Sequence, residues 1–179
     1  MIAMVLISVA VALIGVGVAI YREHQLPESI SSMVYALGRP WRWLWTVWLW
    51  AVAFCLGIPM MEALVEESKF LSFLMLVALA FVGAMPLVEE ETRPWHYTLA
   101  FVAAVLGQVC VAFLCPWALL LWLLPAVCVW AWLSNNICGD ERKKWYSNKG
   151  VFFAELTCYA SMVLGCLASV ASPFRLSII

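Results

Sequence analysis

Four side chains could carry chemistry in this sequence: Ser32, Glu89, His96 and Glu155. Glu155 lies inside a long apolar stretch, and an ionisable group within a bilayer is costly unless it is paired or hydrated. It lies about five residues, or ~7 Å, from the polar end of that stretch. A carboxylate at this depth is either an anchor that reaches interfacial water and basic loop residues, or a proton or substrate site.

His96 belongs to a set of polar residues that the order of apolar and polar segments places at one membrane face. The set also contains His24, Glu28, Ser29, Ser32, Glu89, Glu90, Glu91, Asn135, Asn136 and Glu155. His, Ser and carboxylate groups that converge at one depth could form a general-base or metal site. The alternative is that these residues collect there only because water is there. The HEXXH, GXSXG, P-loop and GXGXXG patterns are absent, so the residues themselves favour no cofactor, with zinc as the alternative.

Gln108 and the cysteines have structural explanations. Gln108 lies in an apolar stretch and is expected to hydrogen-bond between helices. The seven Cys include no CxxC pair, and five of them fall within apolar runs: Cys55, Cys110, Cys128, Cys158 and Cys166. We interpret them as small buried hydrophobic residues rather than as metal ligands or disulfides.

The composition is that of an integral membrane protein. The 179 residues are 66% hydrophobic and only 12% charged, whereas soluble domains are roughly half apolar and a quarter charged. The net charge of −1 offers no basic face for nucleic acid. We expect one all-α membrane domain over residues 1–179.

Hydropathy predicts six transmembrane helices over 2–20, 43–59, 70–87, 95–114, 117–134 and 151–172. The stretch from Trp95 to Ser134 has no formal charge if His96 is neutral. As one straight helix it would be ~60 Å long, twice the ~30 Å hydrocarbon core, so it must fold back. Cys115-Pro116-Trp117 is the predicted turn, because proline ends the preceding helix and can open the next.

A short amphipathic helix is predicted over about 27–37, between the first two spans. Its apolar face is Ile30, Met33, Val34 and Leu37, with Glu28, Ser31 and Ser32 off that stripe. Pro27 suits its first turn, and Gly38 with Pro40 ends it. About three turns are marginal alone in water, so we expect this helix at the bilayer interface.

The tryptophans and small residues of the spans predict how they are anchored and packed. Trp41 and Trp43, beside Arg39 and Arg42, are typical of a membrane-interface anchor, whereas Trp45, Trp48 and Trp50 should lie deeper, against neighbouring helices. Two stripes of small residues, which allow close approach of another helix, are Ser8, Ala12, Gly15 and Ala19 and, in the last span, Ser161, Gly165 and Ser169.

The distribution of Lys and Arg predicts orientation. Eight of the ten lie in the first, third and fifth loops, and Lys69 and Arg175 lie on the other side. The positive-inside rule then puts both termini outside and those three loops in the cytoplasm.

Three segments resemble a known superfamily. The ESISSMVY segment, the acidic turn at Glu89 to Glu91 and the WHYTLAF entry at Trp95 look like small six-helix bacterial membrane proteins related to the alkaline-ceramidase and progestin-receptor-like superfamily. The resemblance implies a bacterial inner-membrane location and amide hydrolysis at a zinc, with Ser32 or Ser29, Glu89 and His96 as the positions. The last span departs from that pattern, because it offers Glu155 and Tyr159 but no His pair.

Several functions remain open at this point. The favoured one is a non-enzymatic membrane protein that binds lipid or a protein partner, or associates with itself through the small-residue faces. A metal-dependent hydrolase using Ser32, Glu89 and His96 is the second, and a small-solute or proton-coupled transporter using Glu155 is the third. A pore-forming lysis factor of a bacteriophage is a fourth.

Overall fold

The structure is a computed structural model that describes residues 1–27, 29–31, 33–88, 93–127, 129 and 142–171. Regular secondary structure in these residues is helical. The helices are α1 (Ile2–Glu23), α2 (Met33–Ala36), α3 (Arg42–Ala63), α4 (Glu66–Val88), α5 (Arg93–Leu114), α6 (Pro116–Val127) and α7 (Arg142–Ala171). A 3-10 turn over Arg39–Trp41 precedes α3, and α6 begins as a 3-10 helix over Pro116–Trp122.

Five of the described helices, α1, α3, α4, α5 and α7, are long and apolar enough to cross a bilayer. They coincide with five of the six predicted spans, so the chain is an all-helical membrane protein. α6 overlaps the remaining predicted span, 117–134, and most of that span beyond Val127 lies outside the described residues. The predicted turn is confirmed: Cys115 is extended (φ −158°) ahead of Pro116, and Trp122 folds back to hydrogen-bond with Gln108 of α5.

Helix α1 packs antiparallel to α3, and α3 packs antiparallel to α4. Ser8 of α1 donates to the carbonyl oxygen of Val52 at 3.0 Å, near the middle of α3. Between α3 and α4, Thr46 donates to the carbonyl oxygen of Gly83 at 2.7 Å, and Ser72 donates to that of Gly57 at 3.2 Å. Hydroxyls thus bond backbone carbonyls across helix pairs, where no water competes.

Helices α5 and α7 run parallel to each other. The Cys158 thiol of α7 contacts the carbonyl oxygen of Ala104 at 3.8 Å, and seven residues further along α7, Gly165 faces Val111 of α5. Residue numbers therefore rise together along this pair, so both helices start at the same end of the bundle.

Two tryptophans of α3 pack against glycines on neighbouring helices. The indole N–H of Trp48 donates to the carbonyl oxygen of Val11 at 2.7 Å, and its ring occupies the space where a Cβ of Gly15 would lie. On the other side, the indole of Trp50 donates to the carbonyl oxygen of Ala80 at 3.1 Å and lies over Gly83. Each indole therefore occupies space beside a helix backbone that a side chain larger than glycine would fill.

The prediction that Trp45 packs against neighbouring helices is confirmed, as is the packing of four small residues of the two stripes, whereas the interface anchor at Trp41 and Trp43 stays a prediction. Trp41 and Trp43 are exposed at the start of α3, whereas Trp45 is buried. Ser8 and Gly15 face α3, and Ser161 and Gly165 face α5. These two stripes are packing faces within the chain.

The helix predicted over 27–37 is wrong in its bounds. The helical turn is only Met33–Ala36, and Ile30 and Ser31 form a turn before it. Met33 and Val34 are buried with Trp45 and Val82 of the bundle, so this apolar face packs inward and not against lipid. The periodic stripe was real, but the surface that covers it is the protein itself.

Buried cysteines are part of the core. Cys110, Cys158 and Cys166 are buried as free thiols, and Cys55 and Cys115 are partly buried. The three buried thiols pack with Met60, Met75 and Val111 in the cluster that joins the five spans, and Cys115 packs against that cluster. The interpretation of the spans' cysteines as small hydrophobic residues is confirmed for these buried thiols; Cys128 lies outside the described residues.

Candidate functional site

Glu155 of α7 holds the loop between α1 and α2. Its Oε2 accepts hydrogen bonds from the backbone N–H of Ile30 and, at 3.2 Å, from that of Ser31. Its Oε1 accepts a hydrogen bond from the Ser31 hydroxyl at 2.5 Å. We call these three residues the latch. Successive backbone N–H groups in a turn form a concave site for an anion, and here the anion is a side chain of the same protein.

The chain is directed to the latch at the end of α1. His24 ends this helix in the left-handed conformation (φ 53°, ψ 21°), which turns the backbone away from the helix axis. His is among the residues that adopt this conformation more readily than most. The loop then packs against α5 and α7, and Ser29 and Ser31 are buried there.

His96 fixes the same loop from α5. Its side chain is fully buried, and its Nε2 lies 3.1 Å from the carbonyl oxygen of Ser31. Because a carbonyl only accepts, Nε2 must carry the proton in this contact. The rings of Trp45 and Tyr97 lie 6.0 and 5.6 Å away between centroids and orient the imidazole.

A cavity of about 340 Å³ opens beside the latch. Its walls come from α1, α3, α4, α5 and α7 and are almost entirely apolar, with Trp48, Ala103 and Met162 among them. The polar residues of the lining include Ser31, Glu155 and Tyr159. The cavity is therefore apolar along most of its wall, and its formal charge lies at the latch.

Two lining residues mark the mouth of the cavity. Leu13 of α1 is 67% exposed and Leu156 of α7 is 40% exposed, although both line the cavity. Further along, α1 and α7 are joined by the hydrogen bond between Ser8 and Tyr159, 2.9 Å between the hydroxyl oxygens. The cavity therefore reaches residues on the outer surface of α1 and α7, two apolar helices.

Gln108 belongs to a separate hydrogen-bonded cluster. Its side-chain oxygen accepts from the Trp122 indole at 2.7 Å and from the Ser161 hydroxyl at 2.9 Å, while its nitrogen donates to the carbonyl oxygen of Cys158 at 3.2 Å. The amide thus joins α5, α6 and α7. The predicted role of Gln108 in hydrogen bonding between helices is confirmed.

The structure brings two of the four predicted chemical residues to one place. His96 and Glu155 meet at Ser31, whereas Ser32 and Glu89 lie outside the described residues. Sequence reasoning missed Ser31, which it placed off the apolar stripe. The only signal was that three serines flank Ile30 within four positions, and this did not tell which one faces the bundle.

The geometry at Ser31 is that of a held loop rather than of an activated nucleophile. An activated serine has its hydroxyl within hydrogen-bond reach of the base. Here the Ser31 hydroxyl bonds the carboxylate, and the imidazole bonds the carbonyl oxygen. Within the described part of the chain, no three His, Cys, Asp or Glu side chains gather as a metal-binding group, and Nε2 of His96 is directed at a carbonyl.

No family model, no curated protein and no solved structure matches this chain.

Proposed function

We propose that this protein is a non-enzymatic six-span membrane protein that binds an amphiphile of the bilayer. The apolar chain of the ligand occupies the cavity, and its head lies at the latch. The observation that carries this proposal is the cavity itself, an apolar space inside a membrane bundle with a carboxylate in its wall.

The lining favours a hydrocarbon occupant over water. An apolar cavity gives water too few hydrogen-bond partners to hold it, whereas it accepts apolar ligands. One water takes ~30 Å³ in the liquid, and a methylene group is of similar size, so a cavity of about 340 Å³ has room for roughly eleven methylenes. That volume suits one acyl or alkyl chain, and the exposed lining residues of α1 and α7 give that chain a route from the bilayer.

The six-span part of the proposal is supported by the parallel packing of α5 and α7. Two spans that run in the same direction need a return crossing between them, and α6 begins that return with Trp122 bonded to Gln108. With the Lys and Arg distribution of the sequence, this threading places the latch near the cytoplasmic face and both termini outside. A bacterial inner membrane is the location that we propose with it.

The threading predicts the compartments of two reporter tags. A reporter fused after Lys69, in the first turn of α4, should lie outside, and a reporter fused after Lys149, in the first part of α7, should lie in the cytoplasm. Alkaline phosphatase and fluorescent-protein fusions at the two positions measure this. If both fusions report the same compartment, the six-span threading is wrong.

Filling the cavity is expected to weaken binding. Ala103 of α5 is buried and lines the cavity, so Ala103→Phe puts a ring where the chain would lie. Ala112, on the same helix, is exposed, and Ala112→Phe is the matched control. We expect Ala103→Phe to weaken dodecanol binding at least about tenfold, a loss of ~1.4 kcal/mol, with Ala112→Phe unchanged.

Calorimetric titration of the full chain in phosphatidylcholine nanodiscs measures this affinity, with empty nanodiscs as the blank. Unfolding temperatures of both variants show that each is folded. If dodecanol binds the two variants and the unaltered chain equally, the cavity is not the binding site.

A further inference from the structure

We infer that the cavity selects an amphiphile with one chain and a cationic head that donates hydrogen bonds, in chemical terms a long-chain primary amine. This rests on the proposed function, which says only that an amphiphile binds. It goes further because it assigns the head group of that amphiphile. The assignment comes from the hydrogen-bond donors, the acceptors and the charges at the polar end of the cavity.

The hydroxyl hydrogens of Ser31, Ser8 and Tyr159 already form hydrogen bonds within the protein. The Ser31 hydroxyl donates to Glu155. The Ser8 hydroxyl donates to the carbonyl oxygen of Val52, so in the 2.9 Å contact between Ser8 and Tyr159 the Tyr159 hydroxyl must be the donor. Ser31 and Tyr159 therefore have no hydroxyl hydrogen left to donate to a ligand, and Ser31 already accepts one hydrogen bond, from the Ser29 hydroxyl at 3.3 Å.

Glu155 has acceptor capacity left. A carboxylate has about four lone-pair sites, and the latch uses three of them. The remaining capacity belongs to a side chain that lines the cavity. The polar end thus offers acceptors from Glu155, Ser31 and Tyr159, which suits a head with several N–H groups.

With Glu155 ionised, the charge at this end is negative, and among the described residues no cation lies beside it. The partners of Glu155 in the described residues are two backbone amides and a hydroxyl, and no Lys, Arg or His lines the described cavity. Amides and hydroxyls solvate the carboxylate without neutralising it. In an apolar, membrane-embedded site, a cation is attracted strongly to such a charge and an anion is repelled.

An ammonium head group provides both the hydrogen-bond donors and the positive charge that this end of the cavity favours. It supplies three N–H donors to an acceptor-rich end and a positive charge to a site with one negative charge. A fatty acid or a phosphate ester would bring acceptors and negative charge instead. The volume of about 340 Å³ limits the ligand to one chain inside the cavity.

A series of probes with the same chain tests the head group. The full chain in phosphatidylcholine nanodiscs is titrated at about pH 8, where an alkyl amine is cationic and a carboxylic acid is ionised. The probes are dodecylamine, dodecanol, dodecanoate, dodecyltrimethylammonium and butylamine. Signals from nanodiscs carrying the Ala103→Phe variant are subtracted, because these probes also partition into lipid.

We expect dodecylamine to bind about tenfold or more tightly than dodecanol, the effect of one hydrogen bond to a charged group, and dodecanoate to bind most weakly. Dodecyltrimethylammonium, which has the charge but no N–H, should fall below dodecylamine. Butylamine should bind far more weakly than dodecylamine, because its short chain buries much less apolar surface in the cavity. If butylamine equals dodecylamine, the ligand is a soluble amine and the amphiphile is excluded.

Removing the charge should remove the preference. Glu155→Gln keeps an oxygen for the latch and loses the negative charge, so dodecylamine and dodecanol should then bind within about threefold of each other, less than one such hydrogen bond gives. Glu62→Gln changes an exposed carboxyl elsewhere and should leave the series unchanged. If Glu155→Gln does not fold, the comparison of head groups on the unaltered chain still tests the assignment.

The outcomes separate the two proposals. If no dodecyl probe binds, the proposed function fails. If all dodecyl heads bind alike, if dodecanoate binds best, or if Glu155→Gln keeps the amine preference, an amphiphile still binds but the assignment of its head is overturned. If dodecyltrimethylammonium equals dodecylamine, charge alone is recognised and the hydrogen-bond part is wrong.

Discussion

Glu155→Ala is expected to release the loop between α1 and α2 and to lower the free energy of unfolding by about 3 kcal/mol, because buried donors that lose their acceptor cost about 1–3 kcal/mol each. Three donors lose that acceptor: the backbone N–H groups of Ile30 and Ser31 and the Ser31 hydroxyl. The expected loss is below the sum of three full penalties, since Glu155 is only partly buried and water can enter from the cavity.

Hydrogen exchange measures the release directly. Amides of Ile30 and Ser31 should be protected in the unaltered chain and should exchange much faster in Glu155→Ala, while amides in the middle of α3 and α4 should keep their rates. Glu155→Gln should lie between the two, because an amide oxygen still accepts. Glu62→Ala removes an exposed carboxylate from α3 and serves as the control for charge. Unchanged protection at Ile30 and Ser31 in Glu155→Ala would refute the latch.

The spans could be predicted from the sequence because hydropathy reports directly on burial in lipid. Their helical ends could not. The last span was predicted to begin at Val151, yet α7 begins at Arg142, and α3 continues past the predicted end at Pro59 to Ala63. Hydropathy falls where water begins, whereas a helix continues as long as its backbone hydrogen bonds can form.

The candidate site could be predicted only in part. Glu155 and His96 stood out because ionisable or polar groups in apolar sequence need partners. Those partners lie far away in the chain, 124 residues between Ser31 and Glu155 and 65 between Ser31 and His96. Periodicity describes one element at a time, so it assigned residues 27–37 to a surface helix. It carries no information about a loop that enters a bundle.

The effect of alanine at Gly15 and at Gly17 should have opposite signs, although the two positions are on the same helix. A Cβ at Gly15 would lie 2.1 Å from the indole nitrogen of Trp48, whereas a Cβ at Gly17 meets no atom of the described chain within 4 Å. Gly17→Ala should therefore stabilise α1 by about 0.5–1 kcal/mol, the usual gain over glycine inside a helix.

Gly15→Ala should destabilise the protein by about 2–4 kcal/mol, since it adds an overpacking cost of ~1–3 kcal/mol to the loss of a hydrogen bond worth ~1 kcal/mol. The indole is rigid, and its N–H is bonded to the carbonyl oxygen of Val11 at 2.7 Å, so the ring cannot move aside without breaking that bond. Equilibrium unfolding in mixed micelles, with both variants and the unaltered chain side by side, measures the two differences.

Replacing the indole tests the cause. In a Trp48→Leu background the ring is absent, so Gly15→Ala should cost less than about 0.5 kcal/mol, within the error of independent sites, while Gly17→Ala keeps its gain. A cost at Gly15 that persists without the indole would mean that the close approach of α1 and α3 depends on some other contact. If the cost at Gly15 vanishes, the contact between Trp48 and Gly15 sets the distance between α1 and α3. Because both helices line the cavity, that one contact then also sets the width of the cavity.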